Sequence, residues 1–394
     1  MVQGTLYSSA LQLSNVSAVL PLLCAQLGSV WVAGLLYPAF SIGIIAGFAA
    51  SPFILGRSRH LKHLVFVGGT TAMGALIACA AISAQNGLFI DAIFLITSAA
   101  LGIAKGVSDG SHAELISAKL PQQRRSHLIL GQYAVSAFVV VAATLFVIPA
   151  LSSGDAEGGR VMVLWLGAAG MIAAAAASFL VGPVHTHLGV PTARISDMFR
   201  RGVHVVRSQP WFRGYLATQL LFVPITLGAT FYVLHIPEQS GDTKGSLHAL
   251  VICSSVGLLI GSCLWRAVYR AAGVRGMLVG SSLMAVTAAA VCIIGHASGM
   301  WSHVWVHGLI FLLAAAADQA VYASSISWVG RFAAEHDRAM LMGFGSAVTA
   351  LATSIVGVVL GGIAQNTSAI WPVIIVLGLN LIAVAAAKLA PAHA

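Results

Sequence analysis

Two ionisable residues stand inside long apolar runs of this chain. Lys105 lies in the stretch 101–125, LGIAKGVSDGSHAELISAKLPQQRR, and Asp318 in the stretch 314–338, AAAADQAVYASSISWVGRFAAEHDR. Each begins apolar, carries a charge and runs into a polar loop closed by an arginine, Arg125 or Arg338. At an offset of 213 residues the lysine falls on the aspartate, and Ala104/Ala317, Ser111/Ser324 and Arg125/Arg338 are identical. The correspondence is one of pattern, and it predicts two similar halves that each place one charge, of opposite sign, at the same depth. An ionised side chain near the centre of a bilayer costs from about 2.5 kcal/mol upward, which a cavity, a partner or a function must offset. The chemistry open to this pair is ion-pair exchange and proton binding. Lys105 and Asp318 would face each other when the cytoplasmic half of a cavity closes and part when it opens, and protonation of Asp318 would bias that switch. The alternative is static: Lys105 pairs with Asp109 one helical turn away, and Asp318 binds a neighbouring helix.

Asp109, His112 and Glu114 approach the cytoplasmic end of the same run, where solvation is the simpler account. On the opposite side, His303 and His307 are one turn apart. From His307 to Asp318 is eleven residues, three helical turns, so these two share a face and could pass protons inward. An i, i+4 histidine pair can also bind a metal, but no Cys, Asp or Glu neighbour completes a set, so no metal and no cofactor are expected. His185 and His187 are read in the same way.

The elements that must hold these charges are membrane helices. With 58% hydrophobic and only 8% charged residues among 394, and a mean hydropathy of +0.92, the chain is far from the roughly one-quarter charged residues of soluble domains. A net charge of +9 would suit nucleic acid, but the Lys and Arg fall in short loops between apolar runs rather than on one polar surface, so no nucleic-acid partner is expected. Cys24, Cys79, Cys253, Cys263 and Cys292 all lie in apolar runs without CxxC spacing, as reduced packing residues do. The first apolar run has no basic region before it and no small-residue cleavage site, and is read as a membrane helix rather than a removable signal.

A helix needs about 20 apolar residues to cross roughly 30 Å of hydrocarbon. Twelve runs meet that length, at about 6–27, 30–55, 64–83, 89–111, 128–151, 161–181, 214–235, 247–267, 276–295, 304–324, 341–364 and 369–389. With the N-terminus inside, 17 of the 20 Lys and Arg fall on the cytoplasmic side. The other three are Arg160 and Lys244 outside and Lys105 within a span, which predicts cytoplasmic termini. The fold class expected is therefore an all-α membrane protein of twelve transmembrane helices in two pseudo-symmetric six-helix bundles, residues 1–182 and 214–394. Residues 183–213 form a cytoplasmic linker, in which Ile195, Phe199, Val203 and Val206 recur at helical spacing opposite Arg194, Arg201 and Arg207, as in an amphipathic helix at the membrane surface. The halves also correspond at Gly43/Gly47 and Gly257/Gly261, offset by 214 residues; small residues four apart let helices approach closely, whether as plain packing or as a surface for rocking.

Two copies of a six-span unit joined by a long cytoplasmic loop, glycine-rich spans 2 and 8 with basic loops after them, and the run 121–125, PQQRR, after span 4 together resemble the major facilitator superfamily over essentially the whole chain. Of that family's loop after span 2, Arg57, Arg59 and Lys62 keep the basic part while the aspartate is missing. After span 8, Gly273 and Arg275 fit and Arg270 stands where the aspartate would be. The glycine-proline pattern of the drug/proton antiporters is absent from span 5.

The resemblance implies that spans 1, 4, 7 and 10 line a central cavity. That makes Gln12, Asn15, Gln219, Thr226 and Tyr322 candidate substrate-binding residues, and Lys105, Asp318, Asp109 and His307 candidates for coupling and gating. Serines and threonines there can equally bond their own or a neighbouring helix. It implies a monomeric secondary transporter of the cytoplasmic membrane, surrounded by lipid. The expected activity is proton-coupled efflux of an amphipathic compound, since the cavity spans are mainly Ala, Leu, Gly and Val. Uptake of a small polar or anionic nutrient with Lys105 as counter-ion is the alternative, and a non-transporting sensor or assembly factor is a third. No Gly-rich phosphate loop, HExxH or GxSxG occurs, so no enzyme is expected.

Overall fold

The computed structural model describes residues 2–58, 61–119, 122–151, 156–180, 182, 195–239, 246–300, 303–333 and 338–391. Arg59, the linker segment 183–194 with His185, His187 and Arg194, and Lys244 lie outside the described residues, as do the side chains of Glu114, Arg124, Arg125, Arg160 and Arg338. The described chain is helical, with no strand among its residues. Its helices are α1 (Val2–Leu13), α2 (Val19–Leu27), α3 (Val30–Arg57), α4 (Lys62–Asn86), α5 (Ile90–Lys119), α6 (Gln122–Ala142), α7 (Ile148–Leu151), α8 (Ala156–Phe179), α9 (Ile195–Ser208), α10 (Pro210–Gln239), α11 (Ser246–Ala297), α12 (Val304–Phe332), α13 (Arg338–Asn366) and α14 (Ile370–Ala386). Hydrocarbon offers backbone N–H and C=O groups no water, so an apolar chain this long satisfies them within helices.

Among the described residues nine helices are long and apolar enough to cross a membrane. Three features separate that number from the twelve expected runs. The first run is broken at residues 14–18 into α1 and α2, each too short to span alone. The fifth is interrupted by a π-helical stretch, Ala143–Val147, which leaves Gly131–Val147 as a shorter apolar helix. Pro149 explains it, because a residue without an N–H cannot bond the carbonyl four positions back and the helix widens locally. The eighth and ninth runs are two helices that meet end to end within α11 across a kink at Gly273 (φ 64, ψ −159), a backbone region closed to residues with a Cβ. Beside that bend Arg275 clamps the chain end, its Nε and Nη2 donating to the carbonyl oxygen of Ala390 at 2.9 and 2.7 Å.

The chain forms two compact units, residues 1–16 with 39–198, and residues 17–38 with 199–394. In the first unit α4 packs on α5 and α8, and α1 lies on α8 and α6. In the second, α12 lies along α11, and α10 is surrounded by α12, α13, α14 and α2. The amphipathic α9 docks through Phe199 and Gly202 on Phe344, with ring centroids of Phe199 and Phe344 5.8 Å apart, and leaves Arg201 and Arg207 exposed. Val203, which belongs to its apolar stripe, is exposed as well.

One packing device recurs in both units. Gly43 and Gly47 of α3 press against the backbone of α5, where a Cβ would overlap the carbonyl oxygens of Ala99 and Ile103; Gly102 and Gly106 of α5 meet them from the other side. Gly257 of α11 presses in the same way against the backbone of Leu312 of α12, and Gly261, one turn on, against the side chain of Gln319. Such backbone approach gains van der Waals contact where lipid gives no hydrophobic drive. Gly43→Val is therefore expected to cost about 1–3 kcal/mol through overpacking. Gly68→Ala, whose Cβ meets nothing within 4 Å, is expected to be neutral or slightly stabilising. Thermal midpoints of the two purified variants in detergent measure the difference, and equal midpoints would show that the α3–α5 contact is loose.

Candidate functional site

The two intramembrane charges sit at the midpoints of their helices, Lys105 in α5 (Ile90–Lys119) and Asp318 in α12 (Val304–Phe332). Each half has built different surroundings for its charge.

In the first unit the lysine is neutralised on its own helix. Its Nζ is ion-paired with Oδ2 of Asp109, four residues on, and the two side chains remain 25% and 31% exposed. The other carboxylate oxygen, Oδ1, accepts a hydrogen bond from the Tyr7 hydroxyl of α1 at 2.9 Å. One turn further along α5, Nδ1 of His112 is 3.5 Å from Nε2 of Gln3, and its ring packs on Phe66 at 5.3 Å. Gln12 donates to the Ser136 hydroxyl of α6 at 2.9 Å, and that hydroxyl donates to the carbonyl of Tyr133. The result is a polar seam joining α1, α5 and α6 in which one positive and one negative charge cancel. Asn15 is half-buried in the helix break itself. Non-helical backbone at membrane depth persists only where polar groups are satisfied. At Ser17, two residues on and in the second unit, the Thr230 hydroxyl supplies such a bond to the carbonyl at 3.0 Å.

In the second unit Asp318 is exposed although it stands at mid-helix. Its Oδ1 accepts a hydrogen bond from the Thr226 hydroxyl of α10 at 2.7 Å, and it lies within electrostatic reach of Tyr37. Among the described residues no Lys or Arg is within ion-pair distance of it. Tyr322, one turn on, is 55% exposed. Gln219 donates to the Ser325 hydroxyl at 2.6 Å, a second tie between α10 and α12. His307 is buried, 3% exposed, within electrostatic reach of His235 of α10.

The structure thus brings together Lys105 with Asp109, Asp318 with Thr226, and Gln219 with Ser325. The partners that sequence reasoning passed over are Tyr7, Gln3 and Phe66 in the first unit and Tyr37 and His235 in the second, His235 in turn packing on His296 with ring centroids 4.9 Å apart. Tyr7 shares α1 with Gln12 but carried no local signal of its own. The others come from spans far apart in sequence. Among the described residues no three His, Cys, Asp or Glu converge as a metal would require.

No family model matches the chain. Over 394 residues it is 43% identical to Uncharacterized protein Rv2209 of Mycobacterium tuberculosis and equally to Uncharacterized protein Mb2232 of Mycobacterium bovis, covering 99% of this chain and 76% of each relative. Its fold is similar to that of the nucleoside transporter NupG in a mutant form, with a TM-score of 0.72 at 12% identity over 98% of this chain and 97% of that one. It is similar also to the xylose transporter XylE from E. coli, 0.64 at 15% identity over 99% and 96%, and to the human organic anion transporter MFSD10, 0.61 at 18% identity over 98% of each. Helices that carry a charge at mid-span and close on each other through paired glycines are built on the scaffold those transporters share: the chain has a major facilitator fold and belongs to one family with the mycobacterial proteins Rv2209 and Mb2232.

Proposed function

We propose that this chain is a secondary active transporter that moves a small organic solute across the cell membrane by alternating access, driven by protons. The plan this entails has twelve spans in two six-helix halves, 1–182 and 214–394, joined by the linker 183–213, with both termini cytoplasmic and a single chain as the working unit. NupG is a nucleoside transporter, XylE a xylose transporter and MFSD10 an organic anion transporter, so this scaffold accommodates unlike solutes and the substrate class must come from the site.

The observation that carries the proposal is Asp318. Lys105 and Asp109 cancel on α5, whereas Asp318 holds an exposed carboxylate at mid-span with a neutral hydroxyl as its hydrogen-bond donor. A carboxylate so placed is stabilised by binding a cation, and a proton is the cation that needs no further ligands. Binding and release of that proton then bias two arrangements of the helices, which is what coupling requires. The same carboxylate, one turn from the exposed Tyr322 ring, favours an amphipathic compound bearing positive charge, and efflux is the direction we assign. Uptake of an anion on Lys105 is disfavoured because Asp109 already occupies its ammonium.

The experiment is lumenal pH in proteoliposomes holding the purified chain, screened against lipophilic cations, weak acids and amino acids. Proton movement that depends on a lipophilic cation is the expected result. Solute flux without proton movement would remove proton coupling, and silence across the whole panel would favour a sensor or assembly factor on this scaffold.

A further inference from the structure

Behind Asp318 lies α11, which takes no part in the proton binding proposed for the carboxylate. Both of the helices that meet at Gly273 reach α12, and each places one side-chain donor on the turn that leads into the aspartate. From the helix before the kink, Nε1 of Trp265 donates to the carbonyl oxygen of Ala316 at 2.8 Å. From the helix after it, the Ser281 hydroxyl donates to the carbonyl oxygen of Ala317 at 2.7 Å. Trp265 and Ser281 stand eight residues either side of the kink, and both are buried.

The two acceptors have a particular place in α12. The carbonyl of Ala317 belongs to the peptide group whose nitrogen is that of Asp318 itself, and the carbonyl of Ala316 to the peptide group before it. A peptide group is planar, so holding its oxygen holds the nitrogen that begins the next residue. Each carbonyl oxygen has two lone pairs and accepts a side-chain donor without giving up its bond within the helix. Trp265 is itself wedged in place: a Cβ on Gly280 would lie 2.8 Å from its ring, and Met277 and Ala320 pack against it. Just past the aspartate, Nε2 of Gln319 donates to the Ser262 hydroxyl of α11 at 2.9 Å. Ala316, Ala317 and Ala320 are buried, whereas Asp318 and Tyr322 are exposed and Asp318 takes its hydrogen bond from α10.

We infer that Trp265 and Ser281 are positioning residues for Asp318: together they fasten the backbone of α12 to both helices of α11, so that the carboxylate meets the Thr226 hydroxyl of α10 in one place. They act through the backbone and not on the carboxylate. That role presupposes the coupling role proposed for Asp318. Polar side chains among membrane helices bond across to a neighbour for want of water, and here two such bonds converge on a single turn. A functional group needs supporting residues that hold it to within about half an ångström of its working position.

The test is carbodiimide labelling of Asp318 in the purified chain in detergent at one fixed pH, read by mass spectrometry, with Asp109 followed in the same digest. Ser281→Ala removes the hydroxyl, and Trp265→Phe removes the N–H while keeping a ring against Gly280. A buried hydrogen bond of ordinary strength changes the balance between a held and a displaced position by about twofold or more. Each variant is therefore expected to label at Asp318 at least about twice as fast as the parent, with Asp109 unchanged. Ser281→Thr, which keeps a hydroxyl, is expected to label as the parent does. Unchanged labelling of Asp318 in Ser281→Ala or in Trp265→Phe would overturn the shared positioning role. So would equal acceleration at Asp109, the mark of a general loosening, or a Ser281→Thr variant that labels like Ser281→Ala. Should Trp265→Phe fail to fold, the two Ser281 variants decide. None of these readings requires transport, so a failure of Asp318 as the coupling group shows separately, as proton movement that survives Asp318→Asn.

Discussion

Asp318→Asn is expected to abolish solute-dependent proton movement while leaving the protein folded and at least as stable as before. The two signs together identify the role. A carboxylate kept at mid-span costs from about 2.5 kcal/mol upward, and the amide removes that cost while keeping size and the ability to accept from Thr226. Were Asp318 a structural strut between α12 and α10, the variant would lose stability along with activity. Were it a coupling group, activity falls by an order of magnitude or more and the thermal midpoint holds or rises, the trade expected where a site is strained for function. The measurement is lumenal pH and solute flux in the same vesicles, beside the midpoint in detergent. Solute flux that survives without proton movement would place Asp318 in coupling alone; unchanged proton movement would remove it from the cycle.

How far the sequence carried depends on whether a feature is written along one helix or across several. Length, apolarity and the placing of Lys and Arg in loops are local, so an all-α membrane protein was legible, as were the mid-span charges and the glycines four apart at Gly43 and Gly257. The break at 14–18 was not, because Asn15 reads equally as part of a polar stripe on a continuous helix, and the backbone gives way only where other helices satisfy it, as Thr230 does at Ser17. The kink in α11 was legible too: Gly273 falls between the eighth and ninth apolar runs, and its non-helical backbone separates two helices there. The partners of the charges were least legible. Asp109 stood one turn from Lys105 and was the static alternative from the start, but Tyr7 lies 102 residues from Asp109, and Thr226 lies 92 from Asp318. His235 and His296 come from two helices, and no spacing in the chain announces that their rings pack 4.9 Å apart.

Removing Asp109 is expected to be more damaging than removing Lys105 and Asp109 together. In Asp109→Asn the ammonium of Lys105 loses its ion pair at mid-span, and the Tyr7 hydroxyl loses a charged acceptor. Breaking one side of a buried pair costs about 3–5 kcal/mol, and with a quarter to a third of each side chain exposed the lower end applies. Lys105→Met combined with Asp109→Asn leaves no orphaned charge, so most of the lost thermal midpoint returns, the non-additivity of two groups in contact. Transport then separates a static pair from one that exchanges partners. A static pair predicts that the double variant regains flux together with stability. If Lys105 leaves Asp109 for Asp318 in another arrangement of the helices, the double variant folds and stays inactive. Lys105→Asp combined with Asp318→Lys then recovers part of the flux that either single change removes. A folded, inactive double variant with no recovery in the reversed pair would leave Lys105 necessary but exclude Asp318 as its second partner.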